Sequence, residues 1–416
     1  MHATPAPPAP PGTTGRPGPA IALGLVILCI EGYDLFVLGV VGPALLAHPD
    51  WDVTTSTLGL LGTLTALGMP LGSIAAGWAG DLIGRRLPLV VSLSWLSLSM
   101  LLSALADDLA LFAATRFLTG IGLGALIPLV TAYVSDAATP ARHSLQVGTA
   151  TAGIGVGGIL TAVAGRTLLP EWDFHTLFLF GVFPLVLVPV VWRMVPAAVQ
   201  DRPAHAPPAA AGPGELLTPP YRRPTLLFWA VTFAGLVIVY GAGTWLPTLM
   251  VDSGYDLGSS LDFSIAFNAG AVAGILAAGL IADRGLLKAA TTTSFLLAAV
   301  AMITLSTPQP RPLLLLASAV AGFGALGTQA LVNIFVAVSH PARLRATALG
   351  FSLGVGRVGA VVGPAYVGAA TALISSSKAG FLAFAAPALL GAALTALLRQ
   401  AGRAPAAVRP GVPAAR

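Results

Sequence analysis

Long apolar runs separated by short polar breaks dominate the chain. A helix needs about 20 apolar residues to cross a bilayer's hydrocarbon core. Twelve runs meet that need: 21–47, 57–80, 87–106, 109–134, 146–168, 175–195, 224–250, 262–282, 289–307, 313–338, 346–371 and 378–399. A helix satisfies its own backbone N–H and C=O groups in lipid, so the pattern predicts an all-α integral membrane protein with twelve transmembrane helices. The longest break follows the sixth run and reads VPAAVQDRPAHAPPAAAGPGELLTPPYRRP. Its Pro, Ala, Gly and charged residues mark a linker, 196–223, between two six-helix halves, 21–195 and 224–400. Residues 1–20 are Pro-rich and polar, with no short apolar core and cleavage site, and read as a disordered tail rather than a signal peptide. Residues 401–416 form a second tail.

Composition agrees. The 416 residues are 56% hydrophobic and 9% charged, whereas a soluble domain carries about 25% charged residues. The net charge of +5 is too scattered for a nucleic-acid footprint and is better explained by loop position. With both termini placed in the cytoplasm, 16 Lys and Arg fall on that side and 3 on the other, and Arg116 and Arg357 fall inside segments. This asymmetry predicts the topology. Asp50, Asp52, Asp107, Asp108, Glu171, Asp173, Asp252, Asp256 and Asp262 gather on the opposite side. Cys29 is the single cysteine, so no intramolecular disulfide is possible.

The halves resemble each other. GWAGDLIGRR at 77–86 returns as GLIADRGLLK at 279–288, TGIGLGALIPLV at 119–130 as AGFGALGTQALV at 321–332, and PARHS at 140–144 as PARLR at 341–345. The offset holds at 201–202 residues, which points to duplication. Six plus six helices in parallel repeats resembles the major facilitator superfamily, whose repeat interface encloses a site near the bilayer midplane.

Four charges lie inside the apolar runs. Glu31 and Asp34 are the only charges of the first run. A carboxylate at mid-bilayer costs about 3 kcal/mol or more and marks an ion or substrate pathway. Their i, i+3 spacing puts both on one helix face, where they are candidates for handling protons. Aligning Pro43 with Pro247 sets Glu31 and Asp34 against Gly235 and Ile238, so the acids belong to one half. Arg357 in the eleventh run has an uncharged counterpart, Val156, and no acid in its own half. An unpaired guanidinium suits a carboxylate. Arg357 therefore either docks an anionic substrate or pairs across the halves with Glu31 or Asp34. Gln329 and Asn333 share a face of the tenth segment; with Asn268, Tyr240 and Trp245 they are candidate substrate contacts.

The loop motif Gly77-x-x-x-Asp81-x-x-Gly84-Arg85-Arg86 resembles the superfamily's signature loop, with a degraded copy at Gly279, Asp283 and Arg284. The resemblance implies a cytoplasmic latch, with Arg142 a candidate partner for Asp81. More specifically, the chain resembles the bacterial aromatic acid:proton symporters. Glu31-Gly32-Tyr33-Asp34 matches their Asp-Gly-Phe-Asp motif, and Trp245-Leu246-Pro247-Thr248 matches their Trp-Leu-Pro-Thr. Arg345-Ala346-Thr347 followed by Gly354-Val355-Gly356-Arg357-Val358-Gly359 through Gly363-Pro364 matches the motif of helix 11. Two positions depart from the pattern: Glu31 replaces an aspartate, and His340 precedes Pro341 where an aromatic is expected. The resemblance spans roughly residues 20 to 400.

It implies uptake of an aromatic carboxylate, such as a hydroxybenzoate or protocatechuate, with inward proton flow across a bacterial inner membrane. The protein is expected to be a monomer with no cofactor and no metal. Asp34, Glu31 and Arg116 would couple protons, Arg116 contacting a first-helix acid. Arg357, Gln329, Asn333, Asn268, Tyr240, Trp245 and Tyr33 would hold substrate. The alternative for Arg116 is snorkelling at the cytoplasmic interface. Other functions to weigh are transport of another organic acid or small molecule, proton-driven export, and a non-transporting sensor. No histidine lies deep in a run, and no nucleophile or metal-ligand constellation appears, so an enzyme is not expected.

Overall fold

A computed structural model describes residues 17–139, 142–197, 213–282, 284, 286–374 and 376–399. Both tails, most of the linker, Asp283 and the side chain of Asp81 lie outside the described structure. Twelve helices are long and apolar enough to span a membrane. They are α1 (Pro17–Leu46), α2 (Thr55–Gly80), α3 (Arg86–Ala104), α4 (Leu109–Ala137), α5 (His143–Leu168), α6 (His175–Met194), α7 (Arg222–Asp252), α8 (Leu257–Ile281), α9 (Leu287–Leu305), α10 (Arg311–Ser339), α11 (Thr347–Ile374) and α12 (Lys378–Ala396). Each apolar run falls on one of them. The side chains of Thr54, Asp108 and Ser376 cap α2, α4 and α12 by accepting backbone N–H bonds. Part of the acid bias at that end is therefore helix-start chemistry. Three helices carry irregular backbone inside their apolar runs: α5 is interrupted at Ala152, α6 passes through a 3-10 stretch at Phe180–Leu187, and α10 carries a π-turn at Phe323–Gly327.

The duplication is visible in the packing. Gly120 of α4 lies so close to the Thr65 carbonyl of α2 that any Cβ there would overlap it. Gly322 of α10 does the same to Phe267 of α8, 202 residues on. Gly68 against Phe117 repeats as Gly270 against Ala319, and Gly72 against Ile121 as Gly274 against Phe323. Along α1, Cys29 O meets Gly157, and along α7 Phe233 O meets Gly359. That last pair keeps Glu31 opposite Gly235. It shifts the counterpart of Arg357 from Val156 to Gly155, which is equally uncharged.

A seam joins the two sets of helices through α1–α7, α2–α11 and α5–α8. It is tight at the end holding the acidic loops. Gly39 abuts the Gly243 carbonyl, and Gly59 faces Pro364 O. The Thr63 hydroxyl donates to Val361 O at 2.9 Å. Asp262 of α8 accepts from Arg166 of α5 and Arg311 of α10, so one carboxylate ties the two sets together. Toward the basic end the seam loosens. Gly77 of α2 and Gly350 and Gly354 of α11 face open space, while Gly279 of α8 stays in van der Waals reach of Leu145 of α5. The α2–α11 part of the seam is closed at its acidic end and open at its basic end.

Candidate functional site

Below the tight part of the seam, α1 presents its two acids to the centre. Glu31 is fully buried, and Asp34 is 2% exposed. None of their four carboxylate oxygens has a hydrogen-bond partner. Gly32 between them lets α1 lie against the Ile154 carbonyl of α5, which fixes the face that turns inward.

Arg116 lies two turns into α4, at the acidic end, and is 1% exposed. Snorkelling is thereby excluded, both by burial and by the end at which the residue sits. Its guanidinium donates to the Ser103 hydroxyl and, at 3.6 Å, to Met100 Sδ. It stacks over Phe112 and Phe178 at 5.1 and 4.6 Å. Ser103, Met100 and both rings thus hold the cation in place of the direct acid contact that the resemblance implies. Arg116 still feels the charge of Asp34, and both line one cavity with Thr65, Tyr240, Gly243 and Thr244. About 20 Å³ of it admits the centre of a water, room for roughly one molecule.

Arg357 on α11 is half-buried, and its Nη1 has no partner. Glu31 and Tyr240 lie within electrostatic reach of it. No ion pair within 4 Å joins the four intramembrane charges. They are close enough to interact, yet none is neutralised by contact. Gln329 donates to Asn333 at 3.0 Å, keeps its Oε1 unpartnered, and fills the space left by Gly235. Both amides are half-buried. Asn268 is buried beside Gly158, in a second cavity at the seam.

Two expected substrate contacts turn away from the centre. The Trp245 indole N–H donates to Pro364 O at 2.9 Å and is completely buried between α7 and α11. The Tyr33 hydroxyl donates to Leu177 O of α6 at 2.9 Å. Both polar atoms are occupied by backbone carbonyls, so these side chains are packing elements. At the basic end, Gly84 turns the chain with φ 81°, and Arg85 pairs with Asp136 of α4 at 3.0 Å. Arg86 donates to Val195 O at 2.6 Å and lies 5.4 Å over Trp192. Arg142 and Arg284 are exposed. Asp136 escaped notice in the sequence, although it is the one acid at the basic end of α4. Ser103, Phe112 and Phe178 carry no signal in the sequence, and Asp262 shows there only as one acid of the charge bias.

Residues 24–364 match the Major Facilitator Superfamily. The chain belongs to that superfamily. The transporter is 36% identical to the gentisate transporter of Corynebacterium glutamicum, over 93% of this chain and 89% of that one. It is 30% identical to the benzoate transport protein of Acinetobacter baylyi (89% and 87% covered). It is also 30% identical to the 3-(3-hydroxy-phenyl)propionate transporter of Escherichia coli (92% and 94%). These relatives place it among the aromatic acid transporters of the superfamily. The fold is shared with the D-xylose-proton symporter (TM-score 0.73, 15% identity, 92% and 97% covered). It is also shared with a bacterial homologue of the human lysosomal transporter Spinster in an inward-facing, unoccupied conformation (TM-score 0.67, 16% identity, 92% and 95% covered). The protein is a multi-pass membrane secondary transporter and not an enzyme.

Proposed function

We propose that the transporter imports an aromatic carboxylate together with protons, by alternating access, across a bacterial inner membrane with its basic end in the cytoplasm. The observation that carries this reading is the group of four intramembrane charges beside the seam, two acids and two arginines, none neutralised by a direct ion pair. Arg357 is the anion-docking group: its fork suits a carboxylate, and its Nη1 is buried without a partner. In the empty carrier Glu31 lies within electrostatic reach of it. An incoming carboxylate takes over as its counter-charge, and Glu31 then binds a proton, since a buried charge without a partner is costly. Asp34 does the same beside Arg116. The loaded carrier is more nearly neutral at the seam, and the balance between its two facing states shifts. The two motif loops, with Arg85, Arg86, Arg142 and Arg284, form the latch that closes the basic end in the other state.

The test is uptake of radiolabelled benzoate and hydroxybenzoates into proteoliposomes under an imposed pH gradient. Accumulation should follow the gradient in the wild type and lose that dependence in Glu31→Gln and Asp34→Asn. Wild-type accumulation indifferent to the gradient would sink proton coupling. Thermal-shift binding of benzoates, aliphatic acids and organic cations tests the substrate class: Arg357→Ala should lose the acids, and acid binding that survives defeats the docking role.

A further inference from the structure

The second seam cavity has a composition that the charged centre does not use. Phe36 of α1 and Phe267 of α8 supply aromatic walls, and Gly158 of α5 and Gly243 of α7 supply bare backbone. Two polar atoms border it without partners: the Ser264 hydroxyl and Asn268 Oδ1, on residues 5% and 2% exposed. The Asn268 amide donates its Nδ2 to Ser264 O at 3.0 Å, which leaves its carbonyl oxygen as a free acceptor. A Cβ at position 158 would overlap that oxygen outright, so the amide keeps its place only because α5 carries glycine there. Leaving such groups unpaired costs stability, and a built site that keeps them is suited to a ligand group. Gly243 borders this cavity and the one holding Asp34, Arg116 and Tyr240, so the two spaces adjoin across the α1–α7 crossing.

We infer that Asn268 and Ser264 form a subsite for a ring hydroxyl, making this carrier selective for hydroxylated over unsubstituted aromatic acids. A phenolic O–H donates to Asn268 Oδ1 and accepts from the Ser264 hydroxyl, satisfying both atoms at once. A second carboxylate is disfavoured, because its acceptor oxygen would face the Asn268 Oδ1 acceptor with no proton between them. The aromatic walls favour the ring that carries the hydroxyl over an aliphatic polyol. The open space is about 10 Å³ for a water centre, which matches one hydroxyl oxygen. Phe36 and Gly158 belong to one set of helices and Asn268 and Ser264 to the other, so the subsite is complete only where the seam is closed. This inference rests on the aromatic-acid reading and refines it.

The experiment measures kcat/KM for benzoate, 3-hydroxybenzoate, 4-hydroxybenzoate and 2,5-dihydroxybenzoate in proteoliposomes. The readout is each hydroxylated acid's ratio to benzoate, which cancels differences in folding and expression. The wild type should favour at least one hydroxylated acid. Asn268→Ala and Ser264→Ala should each lower that ratio by about five- to tenfold, and Gly158→Ala, which displaces the amide, should lower it too. Wild-type selectivity that none of the three variants moves overturns the subsite alone, as does a wild type with no hydroxyl preference. A wild type that carries none of the four acids defeats the aromatic-acid reading and the subsite with it.

Discussion

Replacing Gly39 by alanine should push the carrier toward the state open at its acidic end. Gly39 of α1 and Gly243 of α7 belong to opposite sides of the seam, and an added Cβ would lie well inside 3.0 Å of the Gly243 carbonyl oxygen, a separation real Cβ atoms essentially never show. To restore ordinary contact at 3.4 Å, the two helices must separate, and neither partner is a flexible side-chain end. Overpacking of this kind costs about 1–3 kcal/mol. The cost falls on the closed seam alone, because the open state has no contact there. The equilibrium between the two states should therefore shift about 5- to 150-fold. Thr248 is 1% exposed behind the same seam, against Gly42, and makes a reporter. In a Cys29→Ser background, Thr248→Cys should react with a maleimide faster by that factor when Gly39→Ala is added. Gly32→Ala is the control: its overlap is with Ile154 of α5, within one set of helices, so it should lower the melting temperature without selectively exposing Thr248→Cys. An unchanged labelling rate in a well-folded Gly39→Ala protein would refute the argument.

Asp262→Asn removes the carboxylate shared by Arg166 and Arg311. Both arginines are about half exposed, so the link is worth about 1 kcal/mol or less; it should raise the same labelling rate only a fewfold, and high salt should reproduce the effect in the wild type. Trp245→Phe deletes the bond to Pro364 O and should cost about 1 kcal/mol of stability in a denaturation midpoint, with substrate selectivity unchanged; altered selectivity would return Trp245 to the substrate site. Arg116→Lys keeps the charge but loses the guanidinium stack over Phe112 and Phe178, worth about 2 kcal/mol when desolvated. Gradient-driven uptake should drop by at least tenfold, and wild-type uptake would show that any cation suffices there.

Much of the protein is legible in the linear chain because a bilayer imposes a one-dimensional rule. Twenty apolar residues span it whatever their neighbours, so all twelve helices follow from run length. The cost of burying charge singles out Glu31, Asp34, Arg116 and Arg357 before any packing is known. The repeat is equally plain, since the glycines that set α2–α4 and α8–α10 contacts recur at one offset. Side-chain direction is harder. Nothing local distinguishes Tyr240, which borders the cavity, from Tyr33, whose hydroxyl is taken by Leu177 O, or from Trp245, bound to Pro364 O.

What the amino-acid order determined by itself is the number of spans, their pairing into repeats and the identity of the buried charges, because each depends on transfer cost along a single segment. What only the tertiary structure decided is which polar atoms remain unspent. Arg116 is held by Ser103 and two rings, Asp262 clamps helices that are far apart in the chain, and Asn268 owes its free oxygen to a glycine 110 residues away. Hydrogen bonds and close contacts form between segments in space, and their partners are set by how helices dock across the seam.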